Sequence, residues 1–371
     1  MKKIWIIIGV IVAVALATML IIISTKREPE EIKIGAILPL TGPAAQFGQY
    51  TKEGIEIGLE ELSQQGLTYR IKVLYEDSQG DPKTAVSILN KFIKIDKVDT
   101  VFVLTSVETL AILPIITKEK IITFTGTLLP AITEKSHYLF RNATSLDQET
   151  KFMADFLATQ RNKPSVAIIY VNNDAGVVAD NQFRKTYHEL SGEIVEAQAY
   201  EPGATDFRSQ LVKIKDSNPE YLYILSYKEF GLIMKQAREL GIKAKFIGTT
   251  TFEDPSGVKI AGEAANGAIY TVSSFNPEAS EPKLAQFQEK YRKRYGRNAE
   301  LYAALFRDNI HILALAFKTK PKNAEELRSA ILNVRIFDGV SGTTKFLPNR
   351  DVEKSLALKI IRDGKFEYLE R

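Results

Sequence analysis

The sequence contains no cysteine among its 371 residues. This absence excludes disulfide bonds, thiolate catalysis, cysteine-based metal sites and a lipid-modified N-terminal cysteine. A chain of this length can bury enough surface to fold without disulfides, so an extracellular location stays open. The length exceeds that of one typical core and favours two domains. Any attachment to a membrane must come from an apolar segment of the chain.

Histidine is also scarce, and His137, His188 and His311 are its only occurrences. None of them is spaced from another as metal ligands usually are, and the sequence has no HExxH, GxSxG or P-loop motif. We therefore expect no enzyme, no cofactor and no metal site. The formal net charge is only +4, and the sequence has no basic stripe with interleaved aromatic residues. These features argue against nucleic acid as a partner.

One long apolar run is present at Ile4–Ile23, which follows Lys2 and Lys3 and has no charged residue. Its length is about the 20 residues that a helix needs to cross the hydrocarbon core, and it exceeds the apolar part of a signal peptide. We interpret residues 1–31 as an uncleaved signal anchor and a linker. The protein is then a single-pass protein of the cell membrane, with its folded part outside the cytoplasm. Ala15–Ala17 resembles a cleavage site, and cutting there would give a secreted protein.

From Ile32 onward, apolar strand-like segments alternate with helical segments. One series runs from Ile32 to Phe124, and the pattern restarts at Val166 and continues to Val272. Near-continuous apolar strands between helices are typical of a parallel sheet with both faces covered. The sequence therefore predicts an α/β protein with two doubly wound, Rossmann-like lobes. Three further helices precede short C-terminal strands, which are predicted around Gly339–Phe346, Lys354–Ile361 and Phe366–Leu369.

Six segments carry a resemblance to a known family. In chain order they read IKIGAILPLTGPAAQFG, EDSQGDPKTAV, LTSVETLAILPI, YEPGATDFRSQLVKIK, KQARELG and YGRNAELYAALFRD. Together they resemble the type I periplasmic binding proteins, in particular the branched-chain amino-acid receptor group of ABC transporters. The resemblance covers the chain from about Ile32 to its C-terminus.

The resemblance implies two lobes that are joined by three crossovers and bind a small ligand in the cleft between them. The crossovers are expected near Arg141–Ser145, Ser273–Asn276 and Arg335–Asp338. The first lobe would then comprise residues 32–144 and 276–335, and the second lobe residues 145–275 and 336–371.

The resemblance also implies a function. We expect a monomeric extracytoplasmic binding protein that delivers a small ligand to an ABC transporter, whose permease and ATPase are its partners. The ligand would be an amino acid or a related carboxylate or amide. The alternative is a membrane-anchored ligand sensor or regulator with the same clamp fold.

Ligand contacts are expected in loops that follow strands, because ligands of open α/β sheets bind beyond the carboxyl ends of the strands. Ser106 begins the helix after the strand Thr100–Leu104, and the resemblance implies that its hydroxyl binds a ligand carboxylate. A plain helix N-cap is the alternative. The resemblance also selects Gly126 and Thr127 in the next such loop, where a tight turn is the alternative and Leu128 is a rival for the Thr position.

Aromatic residues are expected on both sides of the cleft. The resemblance implies that Phe47 lines the pocket for the ligand side chain and that Tyr227, after the strand Tyr221–Leu225, contacts the ligand from the second lobe. Ordinary packing of these two aromatic rings is the alternative in each case.

Two positions depart from the family pattern. Ala175 stands where the family typically has an aromatic residue, and Thr250 stands where amino-acid binders typically have an acid that pairs with the ligand ammonium. A buried ammonium without a counter-charge is costly. We therefore expect a small carboxylate or amide as ligand and poor binding of branched-chain amino acids. The rival expectation is that Glu253 or Asp254 turns into the cleft and restores the acid.

We predict that Ile4–Ile23 remains attached to the mature protein as its membrane anchor. N-terminal sequencing of the native protein tests this, and the expected result is an intact N-terminus in the membrane fraction. A mature chain that begins at Thr18 and is recovered in the soluble fraction would refute the prediction.

Overall fold

The computed structural model describes residues 30–66, 69–160 and 162–369. The predicted anchor Ile4–Ile23 lies outside these residues. Within the three described ranges, no helix combines the length and the hydropathy needed to cross a bilayer. The anchor therefore stays a prediction.

The first lobe is built around a parallel sheet of five strands. Its strands are β1 (Glu30–Leu38), β2 (Tyr69–Asp77), β3 (Thr100–Val103), β4 (Ile122–Thr125) and β5 (Leu139–Arg141), in the order β2-β1-β3-β4-β5. The helices between them are α1 (Ala45–Ser63), α2 (Pro82–Lys91), which continues into a π-helical turn (Phe92–Asp96), and α3 (Ser106–Glu119).

Alternating side chains of β1 enter two different hydrophobic clusters. Ile34 and Ala36 pack with Ile55 of α1, whereas Ile37 packs with residues of α2 and α3 on the opposite face. Successive strand residues point to opposite faces, so a strand that is covered on both sides must be apolar at nearly every position. Because of this continuous apolar pattern, the strands of this lobe can be predicted from the sequence.

The second lobe has a seven-stranded mixed sheet. Its parallel strands are β6 (Val166–Val171), β7 (Ile194–Tyr200), β8 (Tyr221–Leu225), β9 (Lys245–Gly248) and β10 (Ile269–Ser273), in the order β10-β9-β8-β6-β7. The helices of this lobe are α4 (Leu146–Ala158), α5 (Asp174–Glu189), α6 (Arg208–Asp216), α7 (Phe230–Glu239) and α8 (Pro255–Ala261), with 3₁₀ turns at Thr250–Glu253 and Gly262–Ala265.

The chain then returns to the first lobe through three helices. They are α9 (Pro282–Tyr295), α10 (Leu301–Phe317) and α11 (Ala324–Asn333), and they are the three helices expected before the C-terminal strands. Leu305 and Ile310 of α10 and Ile331 of α11 belong to the same buried cluster as Ile34 of β1. α10 and α11 therefore cover the face of the first sheet that α1 begins to cover, whereas Leu284 and Tyr291 of α9 pack with Ile57 of α1.

The C-terminal strands differ from the prediction. Instead of one strand over Gly339–Phe346, β11 (Ile336–Gly339) and β12 (Gly342–Phe346) form a hairpin, and β13 (Val352–Lys354) pairs with β12 in a separate three-stranded sheet. Asp308 fixes the reversal, because its carboxylate accepts hydrogen bonds from the N–H groups of Val340 (3.1 Å) and Ser341 (2.8 Å).

This third sheet changes the expected lobe boundary. Phe346 and Val352 pack in the hydrophobic cluster of the first lobe. Only β14 (Leu356–Arg362) and β15 (Lys365–Tyr368) join the second sheet, where β14 runs antiparallel to β10. The third crossing therefore lies between Lys354 and Leu356, and not at Arg335–Asp338 as we expected.

Hydrogen bonds between buried polar groups link the first crossing, after β5, to the third crossing, after Lys354. The Asn142 side chain, just after β5, donates to Asn309 Oδ1 (2.9 Å) and accepts from Thr344 Oγ1 (2.7 Å) and Lys354 Nζ (3.3 Å). Lys354 also donates to the hydroxyl of Ser341 (3.0 Å). Burial lowers the pKa of Lys354 to about 8, although Asp308 acts in the opposite direction.

A buried ion pair lies beside this network. Arg141 Nε donates to Asp351 Oδ1 at 2.9 Å, and the guanidinium makes a second bond to Asp351 Oδ2. Arg141 is fully buried, and Arg141 Nη1 also donates to the carbonyl oxygens of Thr127 (3.4 Å) and Leu129. The pair therefore joins the end of β5, the loop after β4 and the turn before β13.

We predict that Asp351→Asn destabilises the protein by about 3–5 kcal/mol, because it leaves the buried Arg141 guanidinium without a counter-charge. Urea unfolding followed by circular dichroism measures the loss. Glu353→Gln is the matched control, since Glu353 lies two residues away and pairs with Lys345 on the surface at 2.8 Å. That pair should contribute less than about 1 kcal/mol. Equal small losses in both variants would contradict the role given to Asp351.

Candidate functional site

A cavity of about 260 Å³ lies between the two lobes. Its walls come from the loops that follow β1, β3 and β4 in the first lobe and β6, β8 and β9 in the second. These loops lie at the carboxyl ends of parallel strands, where ligands of α/β sheets bind. All six residues predicted to bind ligand line this cavity: Phe47, Ser106, Gly126, Thr127, Tyr227 and Thr250.

Ser106 and Thr127 meet at the first-lobe end of the cavity. Their hydroxyl oxygens are 2.5 Å apart, so one hydroxyl donates to the other. The N-cap of α3 is Thr105, which forms a capping box with Glu108, and Ser106 is the first helical residue. The alternative of a plain N-cap at Ser106 is therefore wrong. The first N–H groups of a helix have no partner within the helix. In α3 these groups lie beside the hydroxyls of Ser106 and Thr127.

Steric crowding explains why a glycine stands at position 126, directly before Thr127. A Cβ atom at Gly126 would lie 2.8 Å from Leu104 Cδ1 and 3.2 Å from the Leu104 carbonyl oxygen. The Gly126 N–H donates to the carbonyl of Val103 (3.1 Å), which joins the loop to the end of β3. A side chain here would therefore crowd Leu104 at the end of β3. Leu128, the rival for the Thr position, lines the cavity as an apolar residue.

Aromatic rings form part of the cavity wall on both lobes. Phe47 makes an edge-to-face contact with Tyr302, with ring centroids 5.6 Å apart. Phe47 is 50% exposed and Tyr227 is 49% exposed, so neither ring is buried in a core. Tyr302 was missed as a site residue, although it lies in the segment YGRNAELYAALFRD that carried part of the resemblance.

Aliphatic side chains cover most of the remaining wall. They are Leu104, Leu128, Leu129, Leu146, Val171 and Leu225. Ala175 also lines the cavity, at the start of α5, where the N-cap Asn173 accepts from the N–H of Gly176 (2.9 Å). The small Ala175 side chain leaves space at the second-lobe side that an aromatic ring would fill.

The two acids expected to replace the charge missing at Thr250 are engaged elsewhere. Glu253 forms an ion pair with Lys359 and accepts a long hydrogen bond from the Tyr270 hydroxyl (3.4 Å). Asp254 is the N-cap of α8 and accepts from the N–H of Ser256 (2.9 Å). Thr250 lines the cavity, and neither acid is among the described residues that do so. In this structure neither Glu253 nor Asp254 turns into the cleft to restore the acid, as the rival expectation required.

A different carboxylate lies behind Thr250. Glu149 Oε2 accepts from the Thr250 N–H and from the Thr271 hydroxyl, both at 2.9 Å, and Glu149 is 1% exposed. Burial raises the pKa of Glu149 to about 7, the two hydrogen bonds oppose this shift, and the nearby Glu253 charge adds to it. No sequence pattern points to Glu149, because an acid in the first turns of a helix is ordinary.

A family model described as periplasmic binding protein matches residues 31–360. The chain is 25% identical to a leucine-, isoleucine-, valine-, threonine- and alanine-binding protein of Pseudomonas aeruginosa, over 66% of each chain. It is 25% identical to a Leu/Ile/Val-binding protein homolog of Brucella abortus, over 92% of this chain and 94% of the relative. The first alignment thus spans just under two thirds of the Pseudomonas protein, and the second nearly all of the Brucella protein.

Solved structures agree with this match. A leucine-binding protein of Thermotoga maritima superposes with a TM-score of 0.77 at 28% identity, over 91% of this chain and 98% of that one. A branched-chain amino-acid transporter substrate-binding protein of Streptococcus pneumoniae, solved in complex with isoleucine, superposes with a TM-score of 0.75 at 25% identity. The superposition covers 92% of this chain and 99% of that one.

These comparisons confirm the predicted α/β architecture with two lobes and the resemblance to the branched-chain receptor group. They also confirm that the chain is not an enzyme. The match covers every described residue that lines the cavity, and it leaves out only the first residue of β1, the end of β14 and β15 from the two sheets. This chain belongs to the periplasmic binding protein family and is a solute-binding protein.

Proposed function

We propose that this protein binds a small carboxylate-bearing ligand with an apolar side chain and delivers it to an ABC transporter. The observation that carries the proposal is the cavity, which has a hydroxyl pair at one end and aliphatic and aromatic walls elsewhere. The relatives named above, which are described as amino-acid-binding or transporter substrate-binding proteins, support it. They favour delivery to a transporter over the alternative of a ligand sensor.

The polar end suits a carboxylate. The hydroxyls of Ser106 and Thr127 can both donate to an anion, once their mutual hydrogen bond is exchanged for bonds to the ligand. The N-terminus of α3 adds backbone N–H groups and the positive end of the helix dipole. Arg141 supports this end from behind, because it donates to the Thr127 carbonyl oxygen.

The rest of the cavity suits a small apolar group. Its volume of about 260 Å³ lies just below the range of roughly 300–1,000 Å³ that holds drug-sized ligands. Burial of an aliphatic side chain against Leu128, Val171 and Leu225 would contribute about 0.8 kcal/mol per methylene group. The space beside Ala175 favours a bulkier side chain over a smaller one.

The lining residues come from both lobes, and this supports a mechanism in which the lobes close around the ligand. Ser106 and Thr127 belong to the first lobe, whereas Tyr227 and Thr250 belong to the second, so a ligand contacts both walls only when the lobes are close. A ligand with this preference shifts the population toward the closed form. We propose that the protein acts as a monomer outside the cytoplasm, is held at the membrane by Ile4–Ile23, and presents the closed form to a permease.

We predict that residues 32–371 become more compact when ligand binds. The probes are leucine, isoleucine and valine and the 2-oxo acid counterpart of each. Small-angle scattering should show a smaller radius of gyration at saturation with whichever probes bind in calorimetry. An unchanged radius at saturation would contradict the clamp, and a chain that binds none of the six would contradict the proposed ligand class.

We predict that Ser106→Ala weakens binding of the tightest of these probes roughly tenfold or more. The variant removes a hydrogen bond to a charged group, which typically contributes about 1.5–3 kcal/mol. Calorimetry measures the change in Kd. Ser329→Ala is the matched control, because the Ser329 hydroxyl donates only to the Glu325 carbonyl oxygen on the exposed surface of α11 (2.9 Å). An affinity that is unchanged in Ser106→Ala would remove Ser106 from the site.

A further inference from the structure

The end of the first lobe that lies opposite the cavity is rich in exposed lysine residues. The parallel strands of the first sheet begin at this end, and the helices α2 and α3, which return the chain to the next strand, finish there. α10 finishes there too, because Tyr302 at its start lines the cavity whereas Phe317 at its end packs against Tyr69 at the start of β2 (ring centroids 6.4 Å apart). We call this end, formed by residues 94–97, 118–120 and 318–322, the base of the first lobe.

The three segments of the base carry seven lysines and two acids, and they read KIDK, KEK and KTKPK. All seven lysines are exposed. Asp96 is paired with Lys91 (3.8 Å), and Glu119 with Lys118 (3.7 Å). Within the described ranges, the other six lysines form no ion pair: Lys94, Lys97, Lys120, Lys318, Lys320 and Lys322.

Other charged residues at the same end do not cancel these lysines. Glu325 and Glu326 begin α11, and Glu325 pairs with Arg328 (3.1 Å). Near the start of β1, the Asp99 carboxylate accepts from the N–H of Lys33 (2.7 Å). Glu30 and Glu31 lie beside Arg70 in the register of β1 with β2. Cations therefore remain in excess at the base.

An exposed apolar residue lies among the lysines. Ile95, between Lys94 and Lys97 in the π-helical turn, is 72% exposed, the largest fraction among the exposed large apolar residues of the described ranges. The helix dipole accounts for cations in the last turn of a helix, but it gives no reason for an isoleucine in water. Apolar residues flanked by lysines are typical of surfaces that lie in the headgroup region of a bilayer.

The chain also enters the first lobe at this end. β1 begins at Glu30, and six residues, 24–29, separate it from the proposed anchor Ile4–Ile23. Even a fully extended chain of this length brings Glu30 no farther than about 25 Å from the end of the anchor. Lys26 and Arg27 lie within these six residues and add two cations. With the anchor in a bilayer, the base is thus the part of the folded lobes nearest to its point of attachment.

We propose that the base of the first lobe rests on a bilayer surface that contains anionic lipid, with its lysines at lipid phosphates and Ile95 among the headgroups. This inference rests on the proposed membrane anchor and goes beyond the proposed function. The negative potential of such a surface falls off within a Debye length, which is about 8 Å at physiological salt. The lysines therefore attract the lipid only when the base is close to it, and the contact is reversible and sensitive to salt.

The contact would determine where the cavity faces. The cavity lies at the carboxyl ends of the strands whose amino ends form the base, so it faces away from the bilayer while the base rests there. A permease in the same bilayer would receive the ligand only after the base has left the surface. The contact is therefore a resting position between deliveries.

Spin labelling of the whole chain tests the inference, because a chain without native cysteine carries a single label after Ile95→Cys. The protein is reconstituted in nanodiscs of phosphatidylcholine alone, or of equal parts phosphatidylcholine and phosphatidylglycerol. At about 0.1 M salt, the anionic discs should reduce collisions of the nitroxide with a water-soluble nickel reagent at least roughly threefold. At about 1 M salt, where the Debye length is about 3 Å, the difference between the two discs should disappear.

A label on the second lobe is the first control. Val212 lies on α6, is 45% exposed and is as apolar as Ile95. The nitroxide of Val212→Cys should therefore have the same nickel accessibility in both kinds of disc. The melting temperature of each labelled protein, measured by circular dichroism, checks that it is folded.

Two sets of charge variants, each combined with the label at position 95, test the lysines. The first replaces three lysines of the base: Lys94→Gln, Lys97→Gln and Lys120→Gln. The second replaces three exposed lysines of the second lobe: Lys213→Gln, Lys235→Gln and Lys259→Gln. The first set should abolish the protection in anionic discs, and the second set, with the same change in net charge, should keep it.

The outcomes separate the inference from the proposed anchor. Equal nickel accessibility in both discs, with the protein incorporated, overturns the contact and leaves the anchor and the clamp function standing. Protection that survives about 1 M salt or the loss of the three base lysines contradicts binding through lysine and lipid phosphate. Protection in detergent without lipid overturns the inference and assigns the base to contact between copies of the chain. A chain that does not enter discs of phosphatidylcholine alone overturns both the anchor and the inference.

Discussion

The buried ion pair between Arg141 and Asp351 holds together the parts of the first lobe on which the cavity depends. Arg141 ends β5 at the first crossing, Asp351 precedes β13 near the third, and the same guanidinium donates to the Thr127 carbonyl oxygen. Buried charges are tolerated only when they are paired and hydrogen-bonded. The loop that carries the Thr127 hydroxyl is therefore held by the same guanidinium that joins the first crossing to the turn before β13.

The two lobes contribute different polar groups to the cavity. The first lobe offers the hydroxyls of Ser106 and Thr127 at a helix N-terminus, and the second offers Thr250 with the Glu149 carboxylate behind it. A ligand that contacts the Ser106 and Thr127 hydroxyls and Thr250 at the same time would do so only in the closed form. Such a ligand shifts the population toward that form.

The two large sheets could be predicted from the sequence, because strands covered on both faces are apolar at nearly every position. The resemblance to the family, together with the expectation that ligands bind in loops after strands, selected Ser106, Thr127 and Thr250. Glu149 could not be found, since its burial depends on Thr250 and Thr271, which lie more than a hundred residues away in the chain. The hairpin at Val340–Ser341 was missed for a similar reason, because its partner Asp308 lies on α10.

A crystal structure of the protein with a bound probe that calorimetry selects is the most direct test of ligand binding between the two lobes. We expect a carboxylate oxygen within about 2.5–3.2 Å of Ser106 Oγ or Thr127 Oγ1. We also expect Tyr227 and Thr250 of the second lobe to contact the same molecule. A ligand that binds outside this cavity, or one that contacts a single lobe, would contradict the proposed binding mode.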